Sequence, residues 1–182
     1  MGFIVADGCL HESNYCLSID IGGRDEQHLE KFIHFIGGDK SFIQTTIHPQ
    51  TSNELKHIQI TSKEAYNDLL NLGVKPRKSG KETFISTPYN KDFIRGLIDG
   101  DGYIREDLTE IGLVGSYEML AMVQEVLKKE VKVEPNKICE HGIIYRISYR
   151  SKEAINKIIN YLYKDCCCSL DRKQYLANQI IK

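Results

Sequence analysis

Two stretches of the chain share the same alternation of apolar and polar residues and open with the same four letters. SKEAYNDLLNLG occupies residues 62–73 and SKEAINKIINYL occupies residues 151–162. In both, apolar residues recur at the three- and four-residue spacing of an amphipathic helix. Each begins with serine, which is favoured at a helix N-cap. The pattern therefore predicts two equivalent helices.

Other parts of the chain are also repeated. GFIVADG (2–8) matches GLIDGDG (96–102), and HLEKFIHFI (28–36) resembles MLAMVQEVL (119–127). The matching segments follow one another in the same order in both halves, which is the mark of a duplicated unit. We therefore divide the chain into a first repeat, 1–87, and a second repeat, 88–182.

Between the helical segments, the apolar residues alternate with polar ones at every second position. This period is typical of half-buried antiparallel strands with one polar face. It is clearest in NYCLSIDIG (14–22), HIQIT (57–61) and IIYRISYR (143–150). Each repeat thus reads as helix, strands, helix, strands, helix, which indicates an α+β fold.

The first helix of the two repeats differs in length. In the second repeat, Thr87 and Pro88 predict an N-cap and a first helical position ahead of YNKDFIRGLIDG (89–100). The first repeat enters the same pattern only at Gly2, so about two helical turns have no counterpart. We therefore expect the first helix to lack its N-terminal part.

Composition narrows the class of protein. The 182 residues are 41% hydrophobic, and no apolar run approaches the length of a membrane span. Six cysteines include three in succession, which favours free thiols in a reducing cytoplasm over a disulfide framework. The net charge of −1 is unusual for a nucleic-acid-binding protein, although the local distribution of charge decides such binding.

Small residues recur on one face of each first helix. Gly96 and Gly100 are four residues apart, and Gly2 and Ala6 occupy the same places in the first repeat. Glycine inside a helix costs about 1 kcal/mol relative to alanine. Close packing of the two helix backbones at these positions would offset that cost.

Asp7 and Asp101 end these two helices, and each is followed by glycine. A carboxylate is unfavourable at the negative C-terminal end of a helix, and two such groups side by side repel each other. A divalent cation with oxygen ligands, Mg²⁺, Mn²⁺ or Ca²⁺, would relieve both effects. The alternative is that DGDG is only a turn, which is disfavoured because both repeats end an apolar helix with Asp-Gly after small residues four apart.

These motifs resemble those of the LAGLIDADG family of homing endonucleases in its single-chain, two-repeat form. IRGLIDGDG (94–102) is close to the motif that names the family, whereas GFIVADG has Val5 where an acidic residue often stands. GVKPRKS (73–79) and LYKDCCCSLDRKQ (162–174) also match the ends of the family's repeats. The resemblance extends over essentially the whole chain.

The resemblance implies two pseudo-symmetric αββαββα repeats in a monomer. The motif helices would form the central interface, and two antiparallel sheets would form a saddle on double-stranded DNA. It also implies that Asp7 and Asp101 bind the catalytic metal, with Mg²⁺ as the expected ion. A basic residue near the end of each repeat would assist catalysis: Lys78, with Lys75 and Arg77 as rivals, and Lys173.

The polar strand faces and a basic loop would contact the DNA. Side chains suited to reading base edges in the major groove are Gln44, His57, Gln59, Arg146 and Arg150. Lys75 and Arg77 lie in the basic loop. The alternative interpretation of this loop is an ordinary solvated segment with no role in DNA binding. The acidic residues Glu106, Asp107 and Glu110 fit this scheme only if they point outward or contact cytosine amino groups.

The sequence therefore predicts a site-specific endonuclease that makes a metal-dependent staggered cut at a long asymmetric site. We expect it in a bacterial, phage or organellar setting, associated with an intron or a phage. The shortened first helix supports an alternative: a catalytically impaired relative that acts as a DNA-binding protein or an RNA maturase. A third possibility is an interaction module in which DGDG is only a turn.

Overall fold

The computed structural model describes residues 1–48, 51–76 and 83–181. The chain divides into two compact units. The N-terminal unit is Asp7–Arg77, and the C-terminal unit combines Met1–Ala6 with Lys78–Lys182.

The elements of the first repeat follow the order αββαββα. The repeat begins with a short helix that runs directly into a strand, and its second strand starts after a single 3₁₀ turn. The elements are α1 (Gly2–Asp7), β1 (Gly8–His11), β2 (Cys16–Gly22), α2 (Glu26–Phe35), β3 (Gln44–Ile47), β4 (Glu54–Thr61) and α3 (Lys63–Asn71).

The second repeat has the same order and ends with an additional helix. The elements are α4 (Asn90–Asp101), β5 (Gly102–Ile104), β6 (Ile111–Gly115), α5 (Tyr117–Val126), β7 (Cys139–His141), β8 (Ile144–Tyr149), α6 (Lys152–Tyr163) and α7 (Asp171–Asn178). A single π-helical turn extends α5. The predicted α+β class and the doubled αββαββα order are confirmed.

Each unit contains one four-stranded antiparallel sheet. The strand orders are β1-β2-β4-β3 and β5-β6-β8-β7, which are equivalent. The registers are also equivalent, because Gly8 pairs with Ile19 as Gly102 pairs with Leu113. Each sheet buries one apolar face under helices, and Ile19 and Ile58 in the N-terminal unit are fully buried there.

Serine caps fix the starts of the repeated helices. Ser62 Oγ accepts a hydrogen bond from Ala65 N at 3.2 Å, and Ser151 Oγ accepts one from Ala154 N at 3.4 Å. Each bond satisfies one of the backbone N–H groups that a helix start leaves without an intrahelical partner. The predicted equivalence of α3 and α6 therefore extends to their caps.

The start of α4 differs from the prediction. The helix begins at Asn90, with Tyr89 as N-cap, rather than at Pro88. Thr87 instead helps to form a turn, because its hydroxyl accepts from Tyr89 N at 2.9 Å and its own N–H donates to Asn90 Oδ1 at 3.1 Å. These local side-chain bonds compete with the first helical turn and delay it by two residues.

Candidate functional site

The start of α1 touches the middle of α4, backbone to backbone. A Cβ atom added to Gly96 would lie 2.6 Å from Phe3 N and 3.0 Å from Gly2 Cα, and one added to Gly2 would overlap Phe93 O. Neither position has room for a side chain. Gly2 and Gly96 thus come together as the spacing of small residues predicts, whereas Ala6 and Gly100 are half-buried later in the same helices.

Asp101 is the last residue of α4 and is half-buried. The end of this helix is covered by the ammonium group of Lys173, whose side chain on α7 is almost fully buried. Its Nζ donates hydrogen bonds to the carbonyl oxygens of Ile98, of Asp99 at 2.8 Å and of Gly102 at 2.6 Å. A cation at the C-terminal end of a helix is stabilising, and this one stands beside the turn that carries Asp101.

Asp99, two residues earlier, joins the same helix end to the segment before α7. Its Oδ1 accepts from the Tyr163 hydroxyl at 2.8 Å and its Oδ2 from Leu170 N at 3.1 Å. Burial, with the Asp99 carboxylate alongside, raises the pKa of Tyr163 well above its ordinary value. Asp99 is therefore a buried structural acid, and it holds the chain that positions Lys173.

Arg95 also binds the segment between α6 and α7 to α4. Its Nε donates to Cys168 O at 2.8 Å and its Nη1 to Leu162 O at 3.2 Å, while Asp92 pairs with Nη1 at 2.6 Å. The loop between α6 and α7 is thus attached to α4 at both ends. Sequence analysis did not identify Arg95, Asp99 or Tyr163, because their importance depends on contacts between distant parts of the chain.

In the N-terminal unit, Asp7 ends α1 immediately before β1 and is half-buried. Val5 takes the place that Asp99 has in the second repeat, and it is buried. The side chain of valine has no hydrogen-bonding group, so the side-chain bonds of Asp99 are not repeated at Val5.

The predicted DNA-contacting residues of the N-terminal unit share one face of its sheet. The register places Asp20 and Gln44 on either side of His57, and it pairs Ser18 with Gln59. His57 Nδ1 lies 2.8 Å from Asp20 Oδ1, and His11 Nε2 lies 2.8 Å from Ser18 Oγ. A groove of about 370 Å³ runs over this face; its lining includes His11, Ser18, Asp20, His57 and Gln59.

The C-terminal unit has a corresponding polar face. Arg146 is half-buried on β8, and Arg150 follows that strand with 72% of its side chain exposed. Arg150 pairs with Glu110, with 3.2 Å between Nε and Oε2. The two predicted arginines therefore differ in setting, since Arg150 is already paired with an acid that immediately precedes the neighbouring strand β6.

The acidic turn before β6 has an internal explanation. Asp107 accepts from Arg105 Nη2 at 3.0 Å and from Thr109 Oγ1 at 2.6 Å, which stabilises the turn. Glu110 accepts from the Tyr103 hydroxyl at 2.6 Å. These two acids bind neighbouring side chains of their own hairpin. Asp107 remains 50% exposed, as expected for an outward-pointing acid, whereas Glu110 is buried.

The predicted basic residues of the first repeat are only partly described. Lys75 is exposed after α3, whereas Arg77 and Lys78 lie outside the described residues. Among residues 1–48, 51–76 and 83–181, no three His, Cys, Asp or Glu side chains are grouped to hold a metal ion. Within the same ranges, no helix has the length and apolar character needed to cross a membrane.

Comparison with solved structures finds this architecture in several proteins. Variants of the homing endonuclease I-DmoI match with a TM-score of 0.64 at 16% identity, over 98% of this chain and 94% of theirs. The meganuclease I-AabMI, bound to uncleaved DNA, matches with a TM-score of 0.59 at 11% identity, over 98% of this chain and 86% of its own. The chain has the LAGLIDADG fold.

The LAGLIDADG fold of this chain also matches the N-terminal LAGLIDADG domain of DUF199/WhiA, with a TM-score of 0.61 at 15% identity. That match covers 96% of this chain and 83% of the domain. The chain spans 56% of full-length WhiA from Thermatoga maritima.

No family profile and no curated protein matches the sequence itself. I-DmoI has been solved with DNA and Ca, and a single-residue variant of it has been solved with its target DNA in 2 mM Mg.

Proposed function

We propose that this LAGLIDADG protein is a site-specific endonuclease that cuts double-stranded DNA. The observation that carries the proposal is the support of Asp101. The helix that ends in Asp101 packs on α1 through glycine, and its last turn is fixed by Lys173 and Asp99. A carboxylate supported so rigidly at an unfavourable helix end is suited to chemistry that needs accurate placement.

The acids suit a divalent metal. Asp7 and Asp101 offer carboxylate oxygens, the ligands that Mg²⁺, Mn²⁺ and Ca²⁺ prefer, and both are half-buried at helix ends. Such a metal would activate water and stabilise the departing oxygen of a phosphodiester. Each aspartate would hold and orient the ion, and Lys173 would keep the turn around Asp101 in place.

The basic residues complete the proposal. Lys78 in the first repeat and Lys173 in the second are proposed to stabilise negative charge during cleavage, with Lys75 and Arg77 as alternatives to Lys78. Lys173 acts from its place among the carbonyls of Ile98, Asp99 and Gly102, so its contribution is electrostatic and positional.

The polar sheet faces are proposed to bind the major groove. The N-terminal unit offers Gln44, His57 and Gln59, and the C-terminal unit offers Arg146 and Arg150. These side chains supply hydrogen-bond donors and acceptors, which is what distinguishes one base pair from another. We propose a monomer that makes a staggered cut at a long, non-palindromic site.

A second candidate is a relative that binds DNA without cutting it, or an RNA maturase. Two observations favour it: the ammonium of Lys173 is fully engaged with backbone carbonyls, and the same fold occurs as one domain of WhiA. Because an ammonium group has three N–H donors and Lys173 donates to three carbonyls, no donor remains for a phosphate.

The test replaces each aspartate by asparagine, which keeps the shape and removes the charge. A target is first selected from random duplexes by binding to the wild-type protein. We expect Asp101→Asn and Asp7→Asn to cut at least one strand about 100-fold more slowly in Mg²⁺, from loss of the metal ligand. Their affinity for DNA should stay the same or rise.

The control is Asp68→Asn, which makes the same change at an exposed position on α3. It should cut as wild type does. If all three variants cut at the wild-type rate, the metal assignment is wrong. If the wild-type protein binds the target tightly and never cuts it in Mg²⁺ or Mn²⁺, the second candidate is correct.

A further inference from the structure

Three polar side chains form a network on the exposed face of the C-terminal sheet. Tyr103 stands on β5, Glu110 immediately precedes β6, and Arg150 immediately follows β8. Glu110 is the central member, and only 9% of its side chain is exposed, against 72% for Arg150. A carboxylate is rarely buried to this degree unless it is paired.

Glu110 is held as an anion by its neighbours. The Tyr103 hydroxyl donates to Oε1 at 2.6 Å, while Arg150 Nε and Nη2 lie 3.2 Å from Oε2 and 3.5 Å from Oε1. The bond from Tyr103, with further bonds from Ser148 and Arg150, lowers the pKa of Glu110 from 4.5 to about 2. Glu110 is therefore ionised throughout the physiological range.

The contact engages one particular edge of the arginine. A guanidinium group has five N–H donors in a planar fork. Glu110 lies along the edge formed by Nε and Nη2. The end of the fork, with one N–H on each terminal nitrogen, remains for another partner. Two parallel donors at that spacing match the O6 and N7 acceptors of guanine.

Gly112 makes the network possible. A Cβ atom at this position would lie 2.5 Å from Cε1 and Cζ of Tyr103 and 2.6 Å from its hydroxyl oxygen. The ring therefore lies across β6 where a side chain would otherwise stand, and its hydroxyl reaches Glu110. A side chain at this position would displace the ring of Tyr103 from its place beside Glu110.

The first repeat lacks this network at the corresponding register positions. Because Gly8 pairs as Gly102 does, Cys9 corresponds to Tyr103 and Cys16 to Glu110. Leu17 pairs with Ile60 as Ile111 pairs with Tyr149, so Thr61 corresponds to Arg150. The network is a property of one repeat and not of the duplicated fold.

We propose that Glu110 is a positioning residue for recognition of one base: with Tyr103, it orients Arg150 so that the end of the guanidinium group reads a guanine in the major groove. The inference rests on the proposed DNA-binding function. The ion pair of Arg150 and Glu110 carries little net charge, so its attraction to phosphates is weak and a bidentate base contact is favoured. Glu110 thus lowers the affinity for DNA of any sequence and raises the selectivity for guanine at one position.

The test measures affinity for duplexes that differ at one base pair. Binding selection with the wild-type protein identifies guanine positions, and Arg150→Ala assigns one of them to Arg150. For Glu110→Gln, we expect discrimination at that position to fall by about 10-fold or more. Affinity for unrelated DNA should rise, because the charge of Arg150 is no longer neutralised by Glu110. For the same reason, the affinity should fall more steeply with salt concentration, by the equivalent of about one phosphate contact.

The double variant separates positioning from general support of the fold. In the Arg150→Ala background, Glu110→Gln should change discrimination less than twofold, since the residue it positions is gone. Glu153→Gln makes the same chemical change in an ion pair on α6 and is expected to have no effect. Tyr103→Phe removes only the hydroxyl, keeps the ring over Gly112, and should lower discrimination at the same position.

Several outcomes would overturn the inference. It is wrong if Glu110→Gln keeps the full preference for guanine, or if the loss is equally large without Arg150. Should Glu110→Gln fail to fold, wild-type discrimination in Tyr103→Phe overturns it instead. Absence of any DNA binding by the wild-type protein would refute the proposed function and this inference with it; intact binding with unaltered discrimination refutes only the inference.

Discussion

At the scale of single residues, Lys173 and Asp99 perform the same task with opposite charges. Lys173 donates to the carbonyls at the end of α4, and Asp99 accepts the N–H of Leu170 just before α7. Each buried charge thereby satisfies backbone groups that the helix ends leave without partners. The two interactions together fix the turn that carries Asp101.

The first prediction concerns Lys173. Lys173→Met keeps the length of the side chain and removes its donors, which leaves the carbonyls of Ile98, Asp99 and Gly102 without this partner. Because hydrogen bonds from a charged group contribute about 1.5–3 kcal/mol each, we expect the free energy of unfolding to fall by at least about 3 kcal/mol. Urea denaturation measures it. Lys157→Met, at an exposed ion pair on α6, should cost less than about 1 kcal/mol; equal losses would contradict the capping role.

Sequence reasoning predicts Asp7 and Asp101 as metal ligands because the duplication places both in the same context. Asp99 has no such marker, since Val5 occupies its place in the first repeat. Its function is set by Tyr163 and Leu170, which lie more than sixty residues away. Glu110 was similarly unexplained until the register brought Tyr103 and Arg150 to it. Contacts between residues that are distant in the chain produce no recognisable pattern in the local sequence.

At the scale of elements, the packing of α1 on α4 was predictable from a steric rule. Glycine in a helix interior is unfavourable, so Gly96 within α4 indicates a neighbouring backbone, and Gly2 at the start of α1 is the residue that meets it. The boundaries of elements were less predictable. Proline favours a first helical position, yet the bonds among Thr87, Tyr89 and Asn90 form a turn before α4 and the helix starts later. Helix propensity is a property of a single residue, whereas the start of a helix depends on hydrogen bonds among several residues.

The second prediction tests that packing. Gly96→Ala places a methyl group 2.6 Å from Phe3 N, so α1 and α4 must separate. We expect a loss of about 1–3 kcal/mol in the free energy of unfolding, as for other overpacked contacts. Gly22→Ala is the matched control, because an added Cβ there meets nothing within 4 Å. If thermal denaturation shows both variants melting at the wild-type temperature, the close approach of the helices is incorrect.

At the scale of the whole molecule, the sequence repeat and the compact units do not coincide. The repeat boundary predicted near residue 88 assigns α1 to the first half, but Met1–Ala6 belongs to the C-terminal unit. The reason is the contact between Gly2 and Gly96: the backbone of α1 packs on α4, while Asp7 begins the chain that enters the N-terminal sheet. A sequence repeat reflects duplication of the chain, whereas a compact unit is defined by the surfaces that pack against each other in the folded protein.

The two sheets have the same topology and carry different chemistry at corresponding positions. The shared register matches His57 with Arg146, Gln59 with Ser148, and Thr61 with Arg150. Imidazole, amide and hydroxyl groups stand in one sheet where guanidinium and hydroxyl groups stand in the other. Because sequence is read by the donors and acceptors on these faces, the two sheets should prefer different base pairs.

The final prediction follows from that difference. A target selected by the wild-type protein should be non-palindromic, and a palindrome built from either half of it should be bound at least about tenfold more weakly. The reason is that one sheet then meets base pairs it does not match, and each mismatch costs about 1–3 kcal/mol. Competition binding at constant salt measures the ratio, with a duplex that carries both selected halves and an altered central sequence as the control for length and charge. Equal affinity for the selected target and for either palindrome would mean that the two sheets read the same sequence, and the different side chains on their faces would then not determine the site.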